Sequence, residues 1–196
     1  MAAAEKRHAV ILYAELRNFT RLSEALQADR VLELVNEFFS LAASLVTGHG
    51  GRALSVHNDS LMGAFTQGDA RESAAQAVKC AQMLQREFAP LGERWKGEYG
   101  LPAAVAVGMH PGEALFGSAG PTGMQQLVAF GDCVSIAERL VHRARAGEIV
   151  LSLDLMKALG SEVRTIGAEE LPPLELVRRP ALPIYGFTLD TRLDFT

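Results

Sequence analysis

The order of apolar and polar residues divides the chain into alternating strand-like and helix-like segments. Residues 8–15, HAVILYAE, are almost continuously apolar and β-rich, as expected of a central strand covered on both faces. The wider stretch ILYAELRNFTRLSEAL, residues 11–26, predicts that this strand passes through a tight turn into a helix. One carboxylate, Glu15, is left at the strand's end. From Asp29 apolar residues return at helical spacing: Val31, Leu34, Val35, Phe38, Leu41, Ala42 and Leu45. Asp29 is the expected N-cap and Gly50-Gly51 the expected stop. RALSVHN and LMGAF follow as two short apolar runs joined at Asn58-Asp59-Ser60, the pattern of a hairpin with an acid at its tip.

A second long helix is expected from Asp69 to Phe88, its inner face carrying Ala74, Ala77, Val78, Ala81, Leu84 and Phe88. GERWKGEYG reads as a polar surface loop, and LPAAVAVGMHPGEALFGSAG as two strands hinged near Pro111-Gly112. QQLVAFGD is a strand running into a turn, CVSIAERLVHRAR a helix, EIVLS a short strand, LDLMKALG a short helix and PIYGFTL a closing strand. Strands and helices are interleaved without repeats or linkers, so the expected architecture is α+β, with helices packed on a mixed sheet.

Composition narrows the class. A chain of 196 residues with 48% hydrophobic and 21% charged residues suits one globular domain. A net charge of −4 argues against a general nucleic-acid surface, which needs clustered excess base. No run of about 18 consecutive apolar residues is present, so no membrane insertion is expected. Cys80 and Cys133 stand far apart without metal-ligand spacing, which predicts two reduced thiols and a cytoplasmic setting. The five histidines show no ligand spacing either; His57 and His110 lie near the candidate acids in sequence and are expected to be structural.

The candidate chemistry lies in two acids. If the first strand pairs beside the hairpin, Glu15 and Asp59 reach one end of the sheet. Two hard oxygen ligands there suit Mg²⁺ or Mn²⁺, ions that orient and neutralise a polyphosphate. The turn Leu16-Arg17-Asn18-Phe19-Thr20 opens a helix whose unpaired N–H groups face the same place, a known preference of phosphate. By itself the signal is modest. Acids at strand ends are usually just solvated, and Asp59 also suits an Asn-Asp-Ser turn for local reasons.

Four segments in fixed order, YAELRNFTRLSEAL, GHGGRALSVHNDSLMGAF, VAVGMHPGEALFGSAG and LVAFGDCVSIAERL, resemble the class III adenylate/guanylate cyclase catalytic domain. The likeness runs from about residue 8 to 190 and includes the tail LPPLELVRRPALPIYGF, which divides the chain into an N-terminal tail 1–7, a cyclase homology domain 8–190 and a C-terminal tail 191–196. It implies a ferredoxin-like α+β core and a head-to-tail homodimer with active sites at the subunit interface. It also implies conversion of ATP or GTP to a 3′,5′-cyclic nucleotide and pyrophosphate.

Position by position, the resemblance implies an eroded site. The first metal-binding aspartate of the family falls on Glu15 and the second on Asp59. The purine-reading lysine falls on Ser55 and its partner on Val128. The ribose-orienting asparagine falls on Ser135, and the transition-state arginine on Arg139, which is intact. Glu for Asp keeps the charge but carries the oxygens about 1.5 Å further at a fixed backbone. Ser55 and Val128 remove the charge and hydrogen bonds that tell purines apart. Ser135 is too short for an amide's task. Arg139 is placed equally well for phosphate or for pairing with Glu138 or Glu113.

The expected function is therefore a degenerate, dimeric signalling module that retains a capacity for nucleotide or divalent metal. The alternative is an active adenylate or guanylate cyclase, either alone or as the metal-binding half of a heterodimer with another cyclase-like chain.

Overall fold

A computed structural model describes residues 4–161 and 166–189; the expected tail 191–196 lies outside them. The chain forms strand β1 (Glu5–Arg17), helices α1 (Phe19–Ala25) and α2 (Ala28–Gly48), hairpin strands β2 (Arg52–His57) and β3 (Ser60–Phe65), and helix α3 (Ala70–Tyr99). Strands β4 (Ala104–Ala119) and β5 (Gln126–Phe130), helix α4 (Asp132–Arg143), strand β6 (Glu148–Ser152), helix α5 (Leu153–Leu159) and strands β7 (Glu169–Leu174) and β8 (Leu182–Thr188) complete it. One mixed sheet runs β2-β3-β1-β4-β6-β8-β7, with β5 paired to β4. The expected α+β sheet flanked by helices is the observed architecture.

The nearly continuous apolar run in β1 has its reason in this topology. Val10, Leu12, Ala14 and Leu16 join the large core beneath α2, α3 and α5. Ala9 and Ile11 face the opposite side, packing with Cys133 and Ala137 of α4. With β3 on one flank and β4 on the other, β1 has no free edge over its apolar length. It begins at Glu5, ahead of the expected His8, because Glu5, Lys6 and Arg7 already pair with Phe116, Leu115 and Ala114.

Helix α2 starts at Ala28 with Gln27 as N-cap, so Asp29 lies in the first turn rather than capping it. The helix has 21 residues, and an 18-residue window of it has a mean hydropathy of 1.3, long and apolar enough to cross a membrane. Leu34, Val35, Phe38, Ala42 and Val46 nevertheless form a buried stripe in the core, which accounts for that hydropathy.

Three expectations need correction. GERWKGEYG is not a surface loop: α3 continues through it to Tyr99, and Trp95 is fully buried. The Trp95 ring meets Phe88 edge to face at 5.5 Å, and its Nε1 donates to Glu37 at 2.9 Å. Pro90 costs one ladder bond inside the helix, but Phe88, Gly92 and Trp95 keep the inner face buried across it. Pro111-Gly112 is not a hinge. β4 is one strand of 16 residues, and Pro111 sits between the segment paired to β6 (Val107 to Met109) and the one paired to β5 (Leu115 to Ala119). That flank offers no strand partner at Pro111, so a missing N–H is tolerated. Finally, EELPPL, read only as tail, forms edge strand β7, with a register shift between Leu171 and Leu174 that accommodates its two prolines.

His110 is buried at 6% exposure, and its Nδ1 lies 2.7 Å from the Ser152 hydroxyl, which also caps α5. Burial lowers its pKa from 6.5, against the opposing pull of Asp154 and Asp132. The unfolded chain thus takes up a proton that the folded chain refuses, so stability is full above about pH 6.5 and falls as the pH drops below it. Thermal melts from pH 7.5 downward are expected to show this loss, and His110→Gln is expected to flatten it. An unchanged slope in the variant would assign the acid sensitivity elsewhere.

Candidate functional site

The hairpin and β1 do bring the two acids to one end of the sheet. Glu15 pairs with Ser60 across β1 and β3, and the Leu16 N–H donates to the Asp59 carbonyl at 2.9 Å. Asn58 takes a left-handed φ of 50° beside Asp59, so the turn is made by a residue type that tolerates that region. Asn18 does the same at φ 66° between β1 and α1, where its side-chain amide donates to the Pro102 carbonyl at 2.9 Å.

Alternation along β1 sends Glu15 and Arg17 to the face covered by α4. Arg17 is half-buried and turned inward: its guanidinium donates to the Glu15 carboxylate and to the carbonyls of Val141 and Ala144 at the end of α4, the last at 2.9 Å. The second Glu15 oxygen lies 3.3 Å from Nε2 of His142. Burial lowers the Arg17 pKa, and the negative charge of Asp59 counters it. Next along the same face, burial and the nearby Glu138 push Tyr13 up to about 12, which keeps its phenol neutral.

The first acid is thus held by an arginine on one oxygen and a histidine on the other, with its side chain only 12% exposed. The guanidinium puts positive charge where a divalent cation would have to approach. Among the described residues no three His, Cys, Asp or Glu side chains converge to hold a metal ion. In this arrangement Glu15 and Asp59 do not fit the ion pair that their spacing suggested.

Within the 16–20 turn, Leu16 is 2% exposed and belongs to the core. Phe19 packs against the same core. Thr20 is exposed, and its carbonyl accepts from the Ser23 hydroxyl at 2.8 Å. Of this turn, the Arg17 side chain reaches Glu15 and the Leu16 N–H reaches the Asp59 carbonyl.

The other positions distribute along α4, β2 and β5. Ser135, Arg139 and His142 share the exposed stripe of α4, four and then three residues apart. Arg139 donates to the Glu175 carbonyl beyond β7, not to Glu138 or Glu113; Glu113 pairs with Lys6 at 2.6 Å. The same segment is clasped further up α4, where Arg179 makes a bidentate pair with Asp132 at 2.6 and 2.8 Å. Ser55 is exposed on β2 and lines an open cavity of about 510 Å³ between α2, β2 and the start of β5. Val128 lies on β5, opposite Gly117, and does not line that cavity.

Sequence reasoning missed the partners of Glu15. Arg17 was read as turn and His142 as one residue of a helix. Spacing held no signal for this contact: of the exposed stripe of α4, His142 alone among the described residues reaches Glu15.

An eight-stranded mixed sheet with acids at the tip of a hairpin and the end of the central strand is the arrangement of one catalytic-domain class. Residues 1–174 match the family model described as the adenylate and guanylate cyclase catalytic domain, and the chain belongs to that family. It is 28% identical over 141 residues to adenylate cyclase 1 of Rhizobium meliloti (strain 1021), covering 70% of this chain and 21% of that protein. This chain therefore spans about a fifth of that relative's length. The crystal structure of the adenylyl cyclase CyaB from P. aeruginosa superposes with a TM-score of 0.86 at 22% identity, covering 99% of this chain and 100% of that one. A class III adenylyl cyclase-like ATP-binding protein from Pseudomonas aeruginosa superposes at 0.74 and 21% identity, over 84% of this chain and 37% of that one.

Proposed function

We propose that this domain is a non-catalytic member of its family, a dimeric signalling module that binds nucleotide without cyclising it. The observation that carries the reading is the pairing of both Glu15 oxygens, one with Arg17 and one with His142. Domains of this family use Mg²⁺ or Mn²⁺. A carboxylate already paired with a half-buried guanidinium has little affinity left for a metal cation. Arg139, the retained cation, donates to the Glu175 carbonyl. Ser55, Val128 and Ser135 supply no charge at their positions, and groups that act together in one transition state fail together. The cyclase-like ATP-binding protein of similar fold supports a nucleotide as the ligand.

Class III cyclase domains dimerise, and both a non-canonical dimeric guanylyl cyclase domain from Blastocladiella emersonii and a soluble guanylate cyclase subunit are among the similar proteins. A head-to-tail homodimer in the cytoplasm is the assembly we propose for this chain. A heterodimer in which a fuller cyclase chain supplies the missing groups is the second reading, favoured by the intact Asp59.

The test is a cyclase assay on purified protein with Mn²⁺, offering ATP, GTP, CTP and UTP separately. No cyclic product is expected from any. Product that disappears in Asp59→Ala overturns the non-catalytic reading. Product only on mixing with a second cyclase-like chain supports the heterodimer.

A further inference from the structure

The sheet opens at the end remote from Asp59. β1 pairs with β3 only from Val10, opposite Phe65, to Glu15, so Glu5 to Ala9 run on without a partner strand on that flank among the described residues. β3 ends at Phe65, and the chain leaves the sheet through Thr66 and Gln67. A cavity of about 580 Å³ fills the gap, a volume in the usual range for small-ligand sites. Its apolar wall is Leu54, Ala64 and Phe116, which pack in the cluster on the α4 face of the sheet. Its charged lining is Arg7, Arg52 and Glu5. Glu5 already pairs with Arg7 Nε at 2.7 Å. Arg52 is exposed and has no acid partner among the described residues. Two guanidiniums against one carboxylate leave one positive charge unmatched beside an apolar surface.

We infer that this cavity binds a small organic monocarboxylate, its carboxylate on Arg52 and its hydrocarbon body against Leu54 and Phe116. A guanidinium presents two parallel N–H groups to the two carboxylate oxygens, a match in shape as well as in charge. The Thr66 hydroxyl, also on the wall, is a further donor. The single unmatched charge selects among anions. A polyphosphate would bring several negative charges to one free cation, with Glu5 beside it repelling the excess. An inorganic anion would leave the Leu54 and Phe116 surfaces wet, whereas an apolar body removes them from water. Glu15 and Asp59 stand at the other end of β1 and β3, so this site is separate from theirs and goes beyond the proposed nucleotide binding.

The probes are acetate, propionate, butyrate and pentanoate, with inorganic phosphate and ATP alongside, titrated into the full chain by calorimetry at fixed ionic strength. Affinity is expected to rise with chain length, by up to roughly fourfold per methylene, as each added CH₂ is buried against the wall. Arg52→Gln is expected to weaken pentanoate by about tenfold or more, and Arg52→Lys to recover part of the loss. Arg52 is exposed, so both variants should melt with the wild type, and a melt checks it. Failure of pentanoate to bind, affinity that does not rise from acetate to pentanoate, or binding indifferent to Arg52→Gln overturns the site. Phosphate or ATP that displaces pentanoate also overturns it, because the cavity would then select phosphate. ATP that binds without displacing pentanoate supports two separate sites. The length series needs no variant, so it decides even if Arg52→Gln were to lose its fold.

Discussion

Gly108→Ala is expected to lower the melting temperature by roughly 6 to 12 °C, the equivalent of about 3 kcal/mol in a domain of this size. Gly108 is where β4 meets α4. A Cβ there would lie 2.1 Å from the Val141 nitrogen, 2.6 Å from the Ala137 oxygen and 2.7 Å from the Leu140 carbonyl carbon. All three are backbone atoms of the helix or its end, so no rotamer change relieves the clash, and the helix as a whole must lift. Lifting opens the cluster in which Ile136, Leu140, Val141 and Ala144 pack on Ala106, Val150 and Ile184. It also shifts the Val141 and Ala144 carbonyls away from Arg17. Circular dichroism melts of the two proteins measure the effect. A variant that melts within about 2 °C of the wild type would mean that α4 does not rest on β4 as described.

Arg17→Ala is expected to cost about 2 to 3 kcal/mol, because removing one partner strands the other in a poorly solvated place. Glu15 would keep only His142, and two carbonyls at the end of α4 would lose their donor. The same substitution exposes the first acid to solution cations. In a melt with added Mn²⁺ the variant should gain stability over its metal-free form, while the wild type gains none, since only a ligand that binds the folded state raises the transition. Equal stabilisation of both proteins would show that Arg17 does not keep metal from Glu15 and would overturn the reading of a silent site.

Much of the fold was legible in the sequence because its signals are local. The 3.6-residue rhythm marked Leu34, Val35, Phe38 and Ala42 of α2 as core, and the turn at Asn58-Asp59 fixed the hairpin. The errors fell where a residue's usual local meaning was overruled by its surroundings. Trp95 sits among Gly92, Lys96 and Gly97, a context that reads as loop, yet burying its ring against Phe88 holds the helix together past Pro90. The two prolines of β7 concealed a strand whose partner, β8, lies on one side only. In the candidate site, motif spacing placed Glu15 and Asp59 at one end of the sheet. It carried no information on what each side chain touches, since the contacts of Glu15 with Arg17 and His142 depend on where a helix more than a hundred positions later crosses β1.

The pairing of the first strand with one so distant along the chain also bears on how the molecule is made. In the folded sheet Leu12 lies opposite Met109, and every residue from Glu5 to Arg17 has its partner between Ala104 and Phe116. During synthesis β1 leaves the ribosome ahead of the rest of this domain, and its flank toward β4 stays unpaired until about a hundred further residues have followed, some 5 to 20 s at ordinary elongation rates. β3 closes the other flank sooner. For that interval the buried apolar stretch of β1 has one open edge, and nascent chains on the same messenger offer it identical edges to pair with. Slower translation lengthens the exposure, so yield of folded protein should depend on elongation between β3 and β4 more than elsewhere in the message.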